Sequence, residues 1–165
     1  NMKRLAIIRH AKTEQENYER DYTRELLPVG IEDAGIIASD LKKRGILPDA
    51  IISSSATRAI TTARIFANKL GFNAGKIIEE RNLYFELTTG EFVDMLKKMP
   101  RNVDTLFVFG HNPFMHYVAQ RMSVNYDGHM PTCSTVVLDF NVETWAEVEP
   151  GSGILHLHLY PKLYR

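Results

Sequence analysis

The chain has 165 residues, with 20 Lys and Arg balanced by 20 Asp and Glu, so its formal net charge is zero. This balance excludes a global attraction to nucleic acid or to an anionic membrane, and any anion site must therefore be local. The single cysteine, Cys133, excludes an internal disulfide and fits a reducing compartment. Without a long apolar run or a signal-peptide pattern, we expect one soluble, cytoplasmic domain over residues 1–165, with Asn1 as the remnant of an expression tag.

The first element in the chain is a run of apolar residues from Leu5 to Ile8. Such a run predicts a strand buried on both faces, which is typical of the centre of a parallel sheet. Arg9 and His10 follow directly, at the strand end where α/β proteins bind ligands. For an isolated Arg-His pair, a strand end that only reaches solvent is the commoner explanation. A long polar loop from Lys12 to Arg24 comes next and predicts a functional loop over the strand ends.

The second unit repeats this order of strand and helix. Helical spacing of apolar residues predicts a helix from Pro28 to a stop at Gly45, followed by a short buried strand at 50–52. Thr57 is expected to cap the next helix, which ends at Gly71. Arg58 then falls in the first helical turn, where a cation is mildly unfavourable. A residue that works against its local structure is typical of a functional position.

The third unit ends in a histidine. A short strand is predicted at 76–79, and the capping box Thr88 to Glu91 opens a helix. A third buried strand, 105–109, leads into His111. Asn112-Pro113 then supplies a helix cap and a first helical residue. Three strand–helix junctions therefore carry Arg or His side chains.

The C-terminal part predicts two further strands, 135–140 and 154–160. In the second, leucines alternate with histidines, so Leu155 and Leu157 are expected on one face. His156 and His158 are expected on the solvent face of an edge strand. No Cys or carboxylate cluster accompanies them, so no metal site is predicted.

The junction residues suit one chemistry. With right-handed crossovers between parallel strands, all three junctions lie along one sheet edge. Arginine offers planar, bidentate donors to phosphate oxygens. A histidine among them can act as a nucleophile, and neighbouring arginines favour the neutral imidazole that this requires.

Other phosphate and nucleophile motifs do not fit. Cys133 has Asp139 six residues later, where a cysteine phosphatase needs arginine. The stretch from Gly71 to Lys76 is one residue short of a P-loop, and no Ser or Thr follows the lysine. His111 and His116 are five residues apart, which does not place them on one helix face as zinc ligands. The serines at 53–55 lack the setting of a nucleophile elbow.

The whole set resembles the histidine phosphatase (phosphoglycerate-mutase-like) superfamily. The motifs that carry the resemblance, in order along nearly the whole chain, are Arg9-His10-Ala11, Ser54 to Arg58 with Thr62-Ala63, and Gly110-His111-Asn112-Pro113. The short length, Ala11 in place of glycine, and Arg24-Glu25-Leu26 make the chain most similar to SixA-type phosphohistidine phosphatases.

The resemblance implies a three-layer α/β/α sandwich with a mostly parallel central sheet and an antiparallel C-terminal edge. It implies His10 as the phosphoryl acceptor, with Arg9, Arg58 and His111 as the phosphate pocket. Arg24 is a weaker match that borders this pocket. No cofactor and no metal are implied.

A general acid is harder to find. Larger superfamily members carry an acidic residue between the second helix and the third main strand, where this chain offers Glu80, Glu86 and Glu91. Glu91 is explained by the capping box, and Glu86 does not sit in the usual family pattern. We therefore assign no general acid, with Glu86 as the remaining candidate, and SixA-type proteins are similar in lacking an obvious one.

The expected function is a metal-independent phosphatase that acts on phosphohistidine in proteins through a phosphohistidine intermediate on His10. The alternatives within enzymes are a phosphatase for a small phosphorylated metabolite or for a phosphoseryl or phosphothreonyl protein. A third alternative is a phosphate-binding scaffold without turnover. An intact His10 argues against the scaffold, because a binding module does not need the nucleophile.

Overall fold

The computed structural model describes residues 2–15 and 18–165. Asn1, the predicted tag remnant, and part of the predicted loop between Lys12 and Arg24 lie outside the described residues. The strands of the sheet are β1 (Lys3–Arg9), β2 (Ala50–Ser53), β3 (Ile78–Glu79), β4 (Thr105–Gly110), β5 (Thr135–Phe140) and β6 (Ile154–Leu159). The helices are α1 (Pro28–Lys43), α2 (Thr57–Leu70), α3 (Thr89–Lys97) and α4 (Phe114–Met122).

The six strands form one sheet in the order β3-β2-β4-β1-β5-β6. The pairs β3–β2, β2–β4 and β4–β1 are parallel, whereas β5 is antiparallel to both β1 and β6. The predicted parallel sheet with an antiparallel C-terminal edge is therefore confirmed. The strand ending in Arg9 and His10 lies inside the sheet, which explains why its side chains are apolar on both faces.

Both faces of β1 are covered by helices. Leu5 and Ile7 pack into a core with the apolar residues of α3 and α4. Ala6 and Ile8 point the other way, into a second core with α1 and α2. This alternation along one strand confirms the predicted three layers.

Most helix ends follow the sequence signals. Gly45 and Gly71 have φ values of +74° and +73° after α1 and α2, in the left-handed region that glycine adopts without strain. The capping box formed by Thr88 and Glu91 is present at the start of α3. The predicted cap Thr57 is wrong, because Ala56 holds the cap position and donates its N–H to the Ser54 hydroxyl.

The predicted cap of α4 is also wrong. The helix begins at Phe114, and Pro113 rather than Asn112 occupies the cap position after a cis Asn112–Pro113 peptide bond. The Asn112 amide instead donates to the carbonyl of Met130, at 2.9 Å. The Asn112 side chain therefore bonds to a residue distant in the chain instead of capping the helix.

The predicted alternation along β6 is broken by a β-bulge. Leu155 pairs with Leu138 and Leu157 with Val137, so His156 is the extra residue on β6. As a result Leu155 packs against the α3–α4 core and Leu157 against the α1–α2 core.

The predicted solvent-facing pair of histidines on β6 is therefore half wrong. His156 is exposed as predicted, but His158 is half-buried, and its Nε2 lies 3.1 Å from the Ser134 hydroxyl. The predicted strand at 76–79 is reduced to Ile78–Glu79, because a 3₁₀ turn occupies Ala74–Lys76.

The loop after β1 is fixed against the start of α1. A Cβ at Gly30 would lie 2.3 Å from the Lys12 carbonyl oxygen, so only glycine permits this approach. The same carbonyl accepts the N–H of Leu27 at 2.9 Å. Within the described residues, no helix is both long enough and apolar enough to cross a membrane.

Candidate active site

Three strand ends bring the predicted site residues together. His10 follows β1 and donates its backbone N–H to the Gly110 carbonyl of β4, at 3.0 Å. The imidazole rings of His10 and His111 lie 5.3 Å apart. Both rings and the Arg58 side chain are less than a tenth exposed. The sheet edge thus places Arg9, His10, Arg58 and His111 in one cluster.

Helix α2 is tied to the end of β1 through a threonine. The Thr62 hydroxyl accepts the N–H of Ala11 at 3.0 Å and donates to the Arg58 carbonyl at 2.7 Å. This buried link sets the position of the first turn of α2 relative to His10. It explains why a threonine one helical turn after Arg58 belongs to the motif.

His10 is held in one tautomer. Its Nδ1 lies 2.8 Å from the Ala11 carbonyl oxygen, which can only accept, so Nδ1 carries the proton. The lone pair is then on Nε2. Burial lowers the pKa of His10 well below its ordinary value, and the charges of Arg9 and Arg58 act in the same direction. At neutral pH the ring is therefore a neutral imidazole with Nε2 available, which is the form that a nucleophilic histidine requires.

His111 is oriented by Ser54. Its Nε2 lies 2.8 Å from the Ser54 hydroxyl, which itself accepts the N–H of Ala56 and has its own proton to donate. In the tautomer whose Nε2 accepts the Ser54 proton, the His111 proton lies on Nδ1, a buried atom that has no partner among the described residues. Burial and the charge of Arg58 lower the pKa of His111 to about 3.

The two arginines are held through their terminal guanidinium nitrogens. Arg9 Nη1 donates to the Met130 carbonyl at 3.0 Å, and Arg58 Nη1 donates to the Asp21 carbonyl at 2.7 Å. In both side chains Nε is buried without a partner among the described residues. Burial lowers the pKa of both groups, yet arginine stays charged at neutral pH.

Two buried donors of the cluster, the Nε atoms of Arg9 and Arg58, thus have no acceptor among the described residues, and the buried Nδ1 of His111 has no partner there either. Leaving a buried donor without an acceptor costs about 1–3 kcal/mol per group, and more where the group is charged. A tetrahedral oxyanion supplies several acceptor oxygens in one ligand. The cluster is therefore suited to bind a phosphoryl group beside the free Nε2 of His10.

Sequence reasoning missed Asp21. Its Oδ2 accepts the Tyr84 hydroxyl at 2.6 Å and Arg58 Nη2 at 3.3 Å, and its Oδ1 accepts Arg24 Nε at 3.0 Å. Burial opposes the ionisation of Asp21, but the Tyr84 hydrogen bond and the charges of Arg58 and Arg24 outweigh it and lower the pKa. No spacing rule connects Asp21 to Arg58 or Tyr84, so no signal in the sequence could have found it.

Arg24, the weaker predicted site residue, donates to Asp21, which in turn accepts from Arg58. Besides Asp21, it binds the Thr13 hydroxyl at 2.9 Å and the Glu14 carbonyl at 3.0 Å. Its charge helps to lower the pKa of Arg58 and His111. Arg24 therefore acts on the pocket through Asp21 and through its field.

Two of the acids considered as proton donors are used in local turns. Glu80 accepts the N–H of Asn82, and Glu91 completes the capping box of α3. Glu86 is exposed directly after Phe85. Residues 2–15 and 18–165 contain no group of three or more His, Cys, Asp or Glu side chains that could hold a metal ion.

The lowered pKa values predict that His10 and His111 stay neutral as the pH falls through about 6.5, where an ordinary histidine becomes protonated. The unfolded chain takes up protons below about pH 6.5, where the folded chain does not, so the free energy of unfolding falls as the pH drops through this range. Nitrogen-15 NMR of labelled histidines measures both states directly. Titration of either ring near pH 6.5 would contradict the assigned environment.

The profile of the histidine phosphatase superfamily (branch 1) matches residues 5–113 of the chain. An uncharacterized protein of Mycobacterium tuberculosis is 30% identical over 162 residues, which cover 90% of this chain and 96% of that protein. An uncharacterized chloroplastic protein of Arabidopsis thaliana is 27% identical over 159 residues, covering 92% of this chain and 72% of that protein.

Two solved structures share the fold closely. A protein from Agrobacterium tumefaciens assigned as the phosphohistidine phosphatase SixA is similar with a TM-score of 0.80 and 26% identity, covering 96% of this chain and 98% of that one. The protein histidine phosphatase SixA complexed with tungstate has a TM-score of 0.84 and 17% identity, covering 98% and 99%.

Proposed function

Because the chain belongs to the histidine phosphatase superfamily, we propose that it hydrolyses phosphohistidine on proteins through a covalent phosphohistidine intermediate on His10. Membership of the family supports a phosphatase acting on a phosphorylated substrate. The finer proposal, which concerns the substrate and the roles of single residues, is supported by the geometry of the site.

One observation carries the proposal. The free Nε2 of His10 stands in the same buried cluster as the guanidinium groups of Arg9 and Arg58 and the imidazole of His111. A bound phosphoryl group would place its negative charge beside these two guanidinium groups and its phosphorus next to the nucleophile. SixA, the similar protein that was solved with tungstate, binds a tetrahedral oxyanion of the same shape.

The reaction divides into two displacements at phosphorus. In the first, the Nε2 lone pair of His10 forms a bond to phosphorus as the bond to the substrate's ring nitrogen breaks. That nitrogen keeps the electron pair, and because the other ring nitrogen already carries a proton, a neutral imidazole leaves. Arg9 and Arg58 stabilise the charge on the phosphoryl oxygens.

In the second displacement, water attacks phosphorus and the bond to His10 breaks. The Nε2 atom recovers its lone pair, the water oxygen remains on phosphorus, and its proton passes to the phosphate product or to solvent. Throughout both steps the Ala11 carbonyl keeps the proton of His10 on Nδ1. His10 thus returns to its starting tautomer without an added acid.

The proposal is tested with a phosphohistidine-bearing carrier protein. We expect the purified chain to release inorganic phosphate from this carrier and to regenerate its unphosphorylated histidine, with much slower release from a simple aryl phosphate. Phosphohistidine hydrolyses without enzyme, so the rate is compared with that of the same carrier alone. An aryl phosphate turned over with a higher kcat/KM than the carrier would contradict the proposed substrate.

A further inference from the structure

An aromatic rim stands beside the phosphate cluster, formed by Tyr22, Tyr84 and Phe85. The Tyr84 ring lies 4.9 Å from the Tyr22 ring and 5.2 Å from the Phe85 ring, and both pairs are in edge-to-face arrangements. The Tyr84 ring also lies 5.7 Å from the ring of His111. The rim is therefore continuous with a residue that would bind the phosphoryl group.

Tyr84 is fixed within this rim. Its hydroxyl donates to Asp21 at 2.6 Å, and the guanidinium carbon of Arg58 lies 6.0 Å from the centre of its ring. The same carboxylate accepts from Arg58. Tyr84 thus touches two members of the proposed phosphate pocket, and its position is set by the bonds that orient Arg58.

Phe85 extends the rim toward solvent. Its side chain is 60% exposed, the largest exposed fraction of any bulky apolar residue that the structure describes. It belongs to neither core, so the fold gains little from a phenyl ring at this position. Phe85 is separated from the cluster by the ring of Tyr84 alone, and an exposed aromatic side chain at that distance from a polar site is typical of a surface that contacts a ligand.

We propose that Phe85, supported by Tyr84, contacts the ring of the leaving group and selects substrates whose phosphoryl group is bonded directly to a planar aromatic ring. This inference rests on the proposed function and names two specificity-determining residues within it. A ring that is bonded to phosphorus stays at the mouth of the pocket as long as the phosphoryl group is bound in it. Through Tyr84, the aromatic rim adjoins Arg58 and His111 and offers an apolar surface beside them.

The rim contacts the ring in the bound substrate as well as in the transition state, so it acts mainly on binding. The binding free energy that one aromatic pair contributes corresponds to about a two- to tenfold change in affinity. Losing the contact should therefore raise KM for a ring-bearing substrate, with a small effect on kcat.

The test compares two small substrates that both contain a phosphorus–nitrogen bond. Phosphoimidazole releases a planar ring, whereas phosphoramidate releases ammonia and has no ring to contact. We expect Phe85→Ala to lower the ratio of kcat/KM for phosphoimidazole over phosphoramidate about two- to tenfold, through KM. Phe85→Trp should restore the ratio, because it keeps an aromatic face at this position.

Tyr117→Ala is the matched control, since Tyr117 is a 46% exposed aromatic residue on α4 whose ring contacts His116 and Arg121 instead of the site. It should leave the substrate ratio as in the original chain. An unchanged ratio in Phe85→Ala, or an equal fall for both substrates, would overturn the inference. Failure of the original chain to hydrolyse either substrate would instead count against the proposed function itself.

Discussion

Replacing His10 with alanine is expected to abolish both turnover and the trapped phosphoenzyme. The proposed reaction has no route to products without a nucleophile, so we expect kcat/KM to fall at least about 10⁴-fold. Acid-quenching is unsuitable because phosphohistidine is labile to acid and stable to base. The measurement is therefore a base quench, followed by peptide mapping that finds the phosphoryl group on His10.

The matched control is His111→Ala, which removes the second imidazole of the same cluster. It deletes a buried nitrogen that has no partner among the described residues but leaves Nε2 of His10 in place, so we expect slower turnover with the label still on His10. A label found on His111, or normal turnover in His10→Ala, would contradict the assignment. A melting temperature close to that of the original chain would show that each variant is folded.

The chemical nature of the leaving group is expected to have the second large effect on the rate of turnover. An alkyl phosphate expels an alkoxide, which is a poor leaving group without a proton from a positioned acid. Glu80 and Glu91 are occupied in local turns, and Glu86 is exposed. We therefore expect alkyl phosphates to lack the roughly 10²–10⁴-fold that acid catalysis contributes. Aryl phosphates should react weakly, and phosphohistidine efficiently.

The variant that decides this point is Glu86→Gln. It keeps the size of the side chain and removes its acid, and we expect turnover of phosphohistidine to stay within a few-fold. Glu80→Gln is the matched control, because its amide oxygen can still accept the N–H of Asn82. If alkyl esters turn over as fast as phosphohistidine and Glu86→Gln abolishes that activity, Glu86 is a general acid and the metabolite phosphatase replaces the proposed function.

The sequence by itself determined the elements of the fold and the four residues of the central cluster. Each depends on a short-range signal: the apolar run before Arg9, the glycine after α2, the capping box of α3. Parallel strands joined by right-handed crossovers then bring their carboxyl ends to one edge, so chain order alone placed Arg9, His10, Arg58 and His111 together. These predictions required no knowledge of side-chain contacts.

Only the tertiary structure decided how side chains with competing partners are used. Asn112 could cap a helix, but its amide donates to the Met130 carbonyl instead. His158 is half-buried beside Ser134 instead of facing solvent, because the bulge at His156 shifts the register of the strand. The link from Asp21 to Tyr84 joins residues far apart in the chain.

The tautomer of His10 likewise depends on where the Ala11 carbonyl points after the strand ends. A hydrogen bond forms wherever geometry offers the better partner, and propensity and spacing along the chain do not contain that geometry. The sequence therefore singled out His10 as the proposed nucleophile, while the folded chain determined which nitrogen of its ring is free.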